Sequence, residues 1–318
     1  MTLPLPVQFL LLIVGFVLLM KGADIFVDGS ASLASKLGIP QIVIGLTIVA
    51  FGTSAPEAAI SITAGAKGSA DLAVSNVVGS NIMNVLLILG ISSIITPLAV
   101  KKNTLLIEIP FVAVITAALL GLGLWGHNLG RVDGIILWIF FIAFMVYLVI
   151  MTKKGQSLDE GENIKKMPVW KMILFIILGA AGIVGGSQLT VNSATAIATH
   201  FGMSERLIGL TIVAFGTSLP ELITSVTAAI KKQTDIAIGN IVGSNIFNIL
   251  FVLGTTALIT PVPYSNSFIV DNIMALITMV LLFVCILPKK KLTRPGGIIM
   301  LLSYAAYFTL FIVMGVKL

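Results

Sequence analysis

The chain has 318 residues, 58% of them hydrophobic and only 10% charged, with a mean hydropathy of +1.11. A typical soluble domain carries about 25% charged residues, so a water-soluble fold cannot cover this much apolar side chain. A soluble enzyme, a nucleic-acid binder and a secreted disulfide scaffold are excluded. The net charge of +6 and pI near 9.4 arise in short loops between apolar runs, and the single Cys285 reads as a packed small hydrophobe.

Apolar runs near 20 residues long predict an all-α integral membrane protein of ten spans. The first five fall at 6–26, 42–66, 71–96, 104–125 and 131–151, the second five at 169–190, 206–230, 235–260, 267–288 and 296–316. The first run has no basic n-region or small-residue cleavage site and reads as a retained span. The most polar stretch, 152–168, reads as a solvated linker between two halves, 1–151 and 169–318. Loops after the odd-numbered spans carry 15 of the 19 Lys and Arg residues, Lys21 and Lys36 among them. Lys67, Arg131, Arg206 and Lys317 lie on the other face. The positive-inside rule then puts the linker in the cytoplasm and both termini outside a plasma membrane. The lipid bilayer accounts for the composition, and one copy suffices for the architecture.

Sliding the chain against itself gives one strong match, at an offset of 164. Residues 45–90 and 209–254 share 28 identities in 46 ungapped positions, including TIVAFGTS-x-PE and VGSNI-x-N in the same order. Shared hydrophobicity explains Leu against Ile but not the recurrence of these polar residues. Five spans per half is an odd number, so the second copy enters the membrane from the opposite side. Inverted repeats of this kind are a transporter architecture, with sites near the midplane where discontinuous helices meet.

In Gly52-Thr53-Ser54-Ala55-Pro56-Glu57, Pro56 lacks an N–H and clashes with the carbonyl four residues earlier, so the helix is expected to break near Gly52. Carbonyls around Ala50–Gly52 then lose their donors, which membrane depth tolerates only beside protein or a polar cavity. Thr53 and Glu57 share a face once the helix resumes. Ala214, Gly216, Thr217, Ser218, Pro220 and Glu221 repeat every element. The next span of each half adds a stripe, Asn76, Ser80 and Asn84, then Asn240, Ser244 and Asn248; interhelical glue is the competing reading of this stripe. Gly79 and Gly243 allow close helix approach. Carboxylates, hydroxyls and amides are hard oxygen ligands, suited to Na⁺ or Ca²⁺. No Lys, Arg or His lies at similar depth in 42–66 or 206–230 to pair with Glu57 or Glu221, and a carboxylate at such depth marks a functional site by default. Two negative charges without a protein cation call for one divalent ion, two monovalent ions or protons, the charge logic of an exchanger.

The remaining charges divide by position. Asp71 and Asp235, each four residues after a lysine (Lys67, Lys231), read as helix caps or terminal charges. Asp24 and Asp28 align with Gln188 and Asn192 on spans read as gating helices, with an entry role for Asp24. Glu108 is expected to pair with Lys101 or Lys102 or to face water. His127 and His200 lack metal-ligand spacing, and Trp125, Trp138, Trp170 and Tyr147 fit interfacial belts or packing. Ser54 and Ser218 have no intramembrane His or Lys, so an intramembrane hydrolase lacks its base, and no cofactor is expected.

On GTSAPE with GSNIMN and GTSLPE with GSNIFN, the chain resembles the cation/Ca²⁺ exchanger superfamily and looks most like its prokaryotic Na⁺/Ca²⁺ exchangers. The resemblance implies alternating access, with two helices sliding past a core that holds the ions. It implies sites built from Thr53, Ser54, Glu57, Ser80, Asn84, Thr217, Ser218, Glu221, Ser244 and Asn248, with the carbonyls of Ala50 and Ala214. Several members, K⁺-dependent ones included, carry Asp at the position of Asn248, and others that ignore K⁺ carry Asn; this points away from K⁺ co-transport. H⁺/Ca²⁺ members usually show GN-x-x-E where this chain has GTS-x-P-E, which points to Na⁺ as the driving ion. Proton-driven or K⁺-dependent exchange and a passive cation channel stay open as alternatives.

Overall fold

The computed structural model describes residues 4–67, 71–153, 167–203, 214–264 and 266–309. In chain order its helices are α1 (Leu5–Leu37), α2 (Gln41–Thr53), α3 (Ala55–Ala66), α4 (Leu72–Ile95), α5 (Thr104–Gly126) and α6 (Arg131–Lys153). Then follow α7 (Val169–His200), α8 (Ala214–Thr217), α9 (Leu219–Ile230), α10 (Thr234–Ile259), α11 (Asn266–Ile286) and α12 (Arg294–Tyr307). Seven of these are individually long and apolar enough to cross a membrane, and the bent pair α2 and α3 makes an eighth. Most of the expected linker (154–166), the start of the expected seventh span (206–213) and the end of the tenth (310–316) lie outside the described residues.

Burial sorts the helices into a centre and a rim. In the most apolar 18-residue windows, 94% of α10 and 72% of α4 is buried, against about a third of α1, α6 and α11. The rim keeps an apolar outer face: Ile135, Ile139, Ile142, Val146 and Val149 of α6 are all more than half exposed, an arrangement suited to lipid and hostile to water. Trp138 instead turns inward, against Phe141 and Phe251, with its Nε1 donating to Thr255 Oγ1 at 3.3 Å.

Helices α1 and α7 run further than their apolar stretches predict. The first span is expected to end at 26, but backbone hydrogen bonding continues through Asp28 and Ser32 to a left-handed Gly38 cap. At 1.5 Å per residue, 33 residues span about 50 Å, well beyond a bilayer core of about 30 Å. Lys21 is therefore a mid-helix residue and not a loop residue. The two long helices lie against each other through glycines. A Cβ on Gly22 would sit 2.8 Å from the Ile183 nitrogen, and one on Gly186 would sit 2.6 Å from the Leu19 nitrogen. Without a hydrophobic drive between helices in lipid, close backbone approach supplies the packing energy.

Two short antiparallel ladders tie the connections together. β1 (Leu98–Ala99) pairs with β4 (Lys291–Leu292), and β2 (Asn128–Leu129) pairs with β3 (Val262–Pro263). The offset of 164 carries β1 onto β3 and residue 128 onto 292. The 23 residues of α5 separate the two ladders by about 35 Å, so the ends of α4 and α11 share one side and those of α5 and α10 share the other.

Overpacking a tight contact typically costs about 1–3 kcal/mol. Gly186→Val is accordingly expected to lower the thermal midpoint of the detergent-purified protein, whereas Gly185→Ala, whose Cβ would meet nothing within 4 Å, should not; equal midpoints for the two variants would refute the contact.

Candidate cation site

The helix α2 ends at Thr53, and α3 restarts at Ala55 at an angle of 53°. Pro56 sits in the first turn of α3, where its missing N–H was unsatisfied in any case. Ser54, at the break, has φ −85° and ψ 7°, and Ser218, between α8 and α9, has φ −88° and ψ 3°. One sequence thus builds the same joint twice. The break falls at Ser54 and not at Gly52, and the Ala50 carbonyl is not freed by it: it accepts from the Ser54 N–H at 2.9 Å, with Thr53 Oγ1 at 3.2 Å. The carbonyl that the proline deprives lies four residues before it, at Gly52 and Gly216. Ser187 of α7 covers the second of these, Oγ to the Gly216 oxygen at 3.0 Å. At the equivalent place, α1 carries Ala23, which has no hydroxyl.

The breaks bring most of the expected oxygens together. Ser54 Oγ donates to Glu221 Oε1 at 2.7 Å, across the two halves, and Ser244 Oγ lies 3.5 Å from the same oxygen. Thr53 Oγ1 reaches Asn240 Oδ1 at 2.9 Å. Glu57 is 1% and Glu221 0% exposed, and they lie within electrostatic reach of each other. On the facing helices, Asn84 Nδ2 donates to Asn245 Oδ1 at 3.0 Å, and Asn248 Nδ2 donates to Ser80 Oγ and Asn81 Oδ1, each at 3.2 Å. Thr217 is half-buried and Ala214 opens α8.

A set of acceptors is left over. Glu57 Oε2, Glu221 Oε2, Asn84 Oδ1, Asn248 Oδ1 and Ser218 Oγ are buried and have no hydrogen-bond partner among the described residues. An unsatisfied buried polar atom costs about 1–3 kcal/mol, more when charged, and folded proteins rarely tolerate several at one place. Among the described residues no Lys, Arg or His pairs with either carboxylate. What remains is a buried cluster of hard oxygens, with up to two negative charges and no cation among the described residues, a donor set of the kind that suits a small metal cation.

Comparison with known proteins now bears on this geometry. A sequence profile described as sodium/calcium exchanger protein matches residues 7–150 and 171–313. The chain belongs to this family. CaxA of Alkalimonas amylolytica is 40% identical over 312 residues, covering 95% of this chain and 97% of that protein. The sodium/calcium exchanger MaX1 of Methanosarcina acetivorans is 30% identical over 342 residues, covering 95% and 97%. A solved structure of the sodium-calcium exchanger NCX_Mj, soaked with 10 mM Na⁺ and zero Ca²⁺, superposes with a TM-score of 0.84 at 32% identity, covering 96% of this chain and 99% of that one. The protein is therefore a helical, multi-pass membrane transporter of the cation/Ca²⁺ exchanger superfamily.

Within this exchanger several expected partnerships are replaced. Asn76 and Asn240 leave the stripe and bond Ser61 and Ser225 of the neighbouring helices, at 3.0 and 2.9 Å, so the end of each stripe is interhelical glue. Lys231 bridges Asp24 at 2.7 Å and Asp28 at 2.6 Å on α1, which puts Asp24 in an ion pair. Asp235 pairs with Lys101 at 2.8 Å, and the Asp71 side chain lies outside the described residues. Glu108 is fully buried, so it does not face water, and it accepts from the Tyr147 hydroxyl. Sequence spacing ranks lysines by nearness along the chain, whereas packing brings lysines from other helices. Gly243 makes its close approach, a Cβ there lying 2.7 Å from Leu46 Cα. A Cβ on Gly79 would meet nothing within 4 Å among the described residues. Asn81 and Asn245 were overlooked, although both recur in VGSNI.

The unequal hydroxyls give a stability test. A hydrogen bond to a charged group contributes about 1.5–3 kcal/mol. Ser54→Ala should therefore lower the unfolding midpoint of the purified exchanger in ion-free buffer more than Ser218→Ala does; the reverse order would contradict the geometry.

Proposed function

We propose that this exchanger moves Ca²⁺ against Na⁺ by alternating access, with both ions competing for the oxygens around Glu57 and Glu221. The observation that carries the reading is the pair of buried carboxylates, each with one oxygen that has no hydrogen-bond partner among the described residues. Two charges are balanced by one Ca²⁺ or two Na⁺, so loading either ion neutralises the same pair, and the empty, doubly charged site is costly to carry across the bilayer. That cost couples the two fluxes. Kinship to sodium/calcium exchangers over nearly the whole chain supports the choice of ions.

The proposed ligand set is Ala50, Thr53, Ser54, Glu57, Ser80, Asn84, Ala214, Thr217, Ser218, Glu221, Ser244 and Asn248. Of these, Ala50 contributes least, because its carbonyl is already bonded. The proposed frame is ten spans in two inverted five-span halves, 1–151 and 169–318, with a cytoplasmic 152–168 linker and both termini outside the plasma membrane. The two ladders support this parity, since the offset that relates the halves also exchanges them across the length of α5. The asymmetry of the joints supports alternating access: Ser54 grips Glu221 while Ser218 Oγ has no partner among the described residues, and exchange of these roles would accompany reorientation. The glycine-packed α1 and α7 are the proposed moving pair, sliding past the centre built on α4 and α10.

The decisive experiment uses liposomes with a Na⁺ gradient and no pH gradient. Ca²⁺ movement that follows the Na⁺ gradient is expected. Movement only with a pH gradient would turn the reading to proton exchange, and flux without any counter-ion would turn it to a channel. Glu57→Gln and Glu221→Gln should each reduce exchange to background while the protein still elutes as a single folded species; normal exchange by either variant would end the shared-site mechanism. Asn248→Asp should alter the Na⁺, K⁺ or Ca²⁺ dependence of exchange.

A further inference from the structure

Four asparagines meet where α4 and α10 cross: Asn81, Asn84, Asn245 and Asn248, none more than 4% exposed. A primary amide donates only at its nitrogen and accepts only at its oxygen, so its neighbours must decide which end points where. Here a backbone carbonyl decides, because it can only accept. The Asn245 carbonyl takes a bond from Asn81 Nδ2 at 3.3 Å. Asn81 must then turn its Oδ1 the other way, where it accepts from Asn248 Nδ2 at 3.2 Å. Ser80 Oγ holds the same nitrogen. With its nitrogen fixed, Asn248 presents a buried, unpartnered Oδ1.

The other half runs the same relay. The Asn81 carbonyl accepts from Asn245 Nδ2 at 3.3 Å, Asn245 Oδ1 accepts from Asn84 Nδ2 at 3.0 Å, and Asn84 Oδ1 is left unpartnered. Each relay thus starts on a main-chain oxygen of one half and ends on the side-chain oxygen of that same half, with an asparagine of the opposite half between them.

We propose that Asn81 and Asn245 are positioning residues, which transmit the polarity of the opposite half's backbone and make Asn248 and Asn84 face the ion oxygen-first. The proposal rests on the ion-site reading above. A flipped amide would turn its NH₂ toward the cation and replace an attractive dipole end with a repulsive one, at a place where the ion has given up water. Neither half can orient its own amide ligand alone; each needs the other half's asparagine at the crossing.

A carboxylate offers oxygen at both ends and needs no such orientation, which separates positioning from plain interhelical glue. The test is the half-saturating Ca²⁺ concentration for Na⁺-driven exchange in liposomes, in Asn81→Leu, Asn248→Asp and the double variant. Asn81→Leu is expected to raise it about tenfold in the native background, the size of one lost charge-directed contact. In the Asn248→Asp background the same change should cost no more than about twofold. Asn245→Leu with Asn84→Asp repeats the cycle in the mirror relay, and Asn81→Ser serves if the leucine variant does not fold. An equal penalty in both backgrounds, or none in the native one, overturns the proposal while leaving the ion site intact. Unchanged ion dependence in Asn248→Asp alone removes that residue from the site, and the relay falls with it.

Discussion

Two carboxylates buried in the centre of a membrane protein, with no protein cation to meet them, are the constraint around which the rest is arranged. Glu221 is held by the hydroxyls of Ser54 and Ser244, and each carboxylate keeps one buried oxygen without a hydrogen-bond partner among the described residues. Isolated charge at such depth is costly, so the pair calls for a polar shell, which in the proposed function an ion completes. The proline breaks, the two central helices α4 and α10, and the asparagines between them all supply that shell.

The shell is two-fold in outline and unequal in content. The joints at Ser54 and Ser218 have nearly the same backbone angles, and the two ladders exchange under one offset. Yet Ser54 bonds the carboxylate of the other half while Ser218 does not, and Ser187 covers the Gly216 carbonyl where Ala23 offers nothing. Duplicated halves of one chain occupy different geometries at the same moment. Their links to the long α1 and α7 pair include polar ones, Ser187 to Gly216 and Lys231 to Asp24 and Asp28, beside apolar contacts such as Phe26 at Gly52 and Val191 at Gly216. Polar links of this kind exchange partners at less cost than an interlocked apolar core, which loses dispersion contacts as soon as its surfaces part.

Much of this was legible in the chain. Composition determined the solvent, apolar run lengths located the helices, and the offset of 164 exposed the duplication. Pro56 and Pro220 placed the breaks within two residues, because a missing N–H acts on its own helix and needs no tertiary information. Glu57 and Glu221 stood out because no cation is available at their depth. Helix ends were less legible: α1 continues through its charged half because backbone hydrogen bonds, not hydropathy, end a helix.

What only the tertiary structure decided is which polar atoms are spent and which are left over. The sequence stripe put Asn76 and Asn240 on a par with Asn84 and Asn248, but the first two are consumed by neighbouring serines. It passed over Asn81 and Asn245, whose amides are set by backbone carbonyls 164 residues away. It also offered Glu108 to Lys101 or Lys102, where packing gave Lys101 to Asp235. Local patterns are written in covalent order and can be read there. Hydrogen-bond donors, by contrast, are shared out among whatever side chains the packed helices bring within about 3 Å.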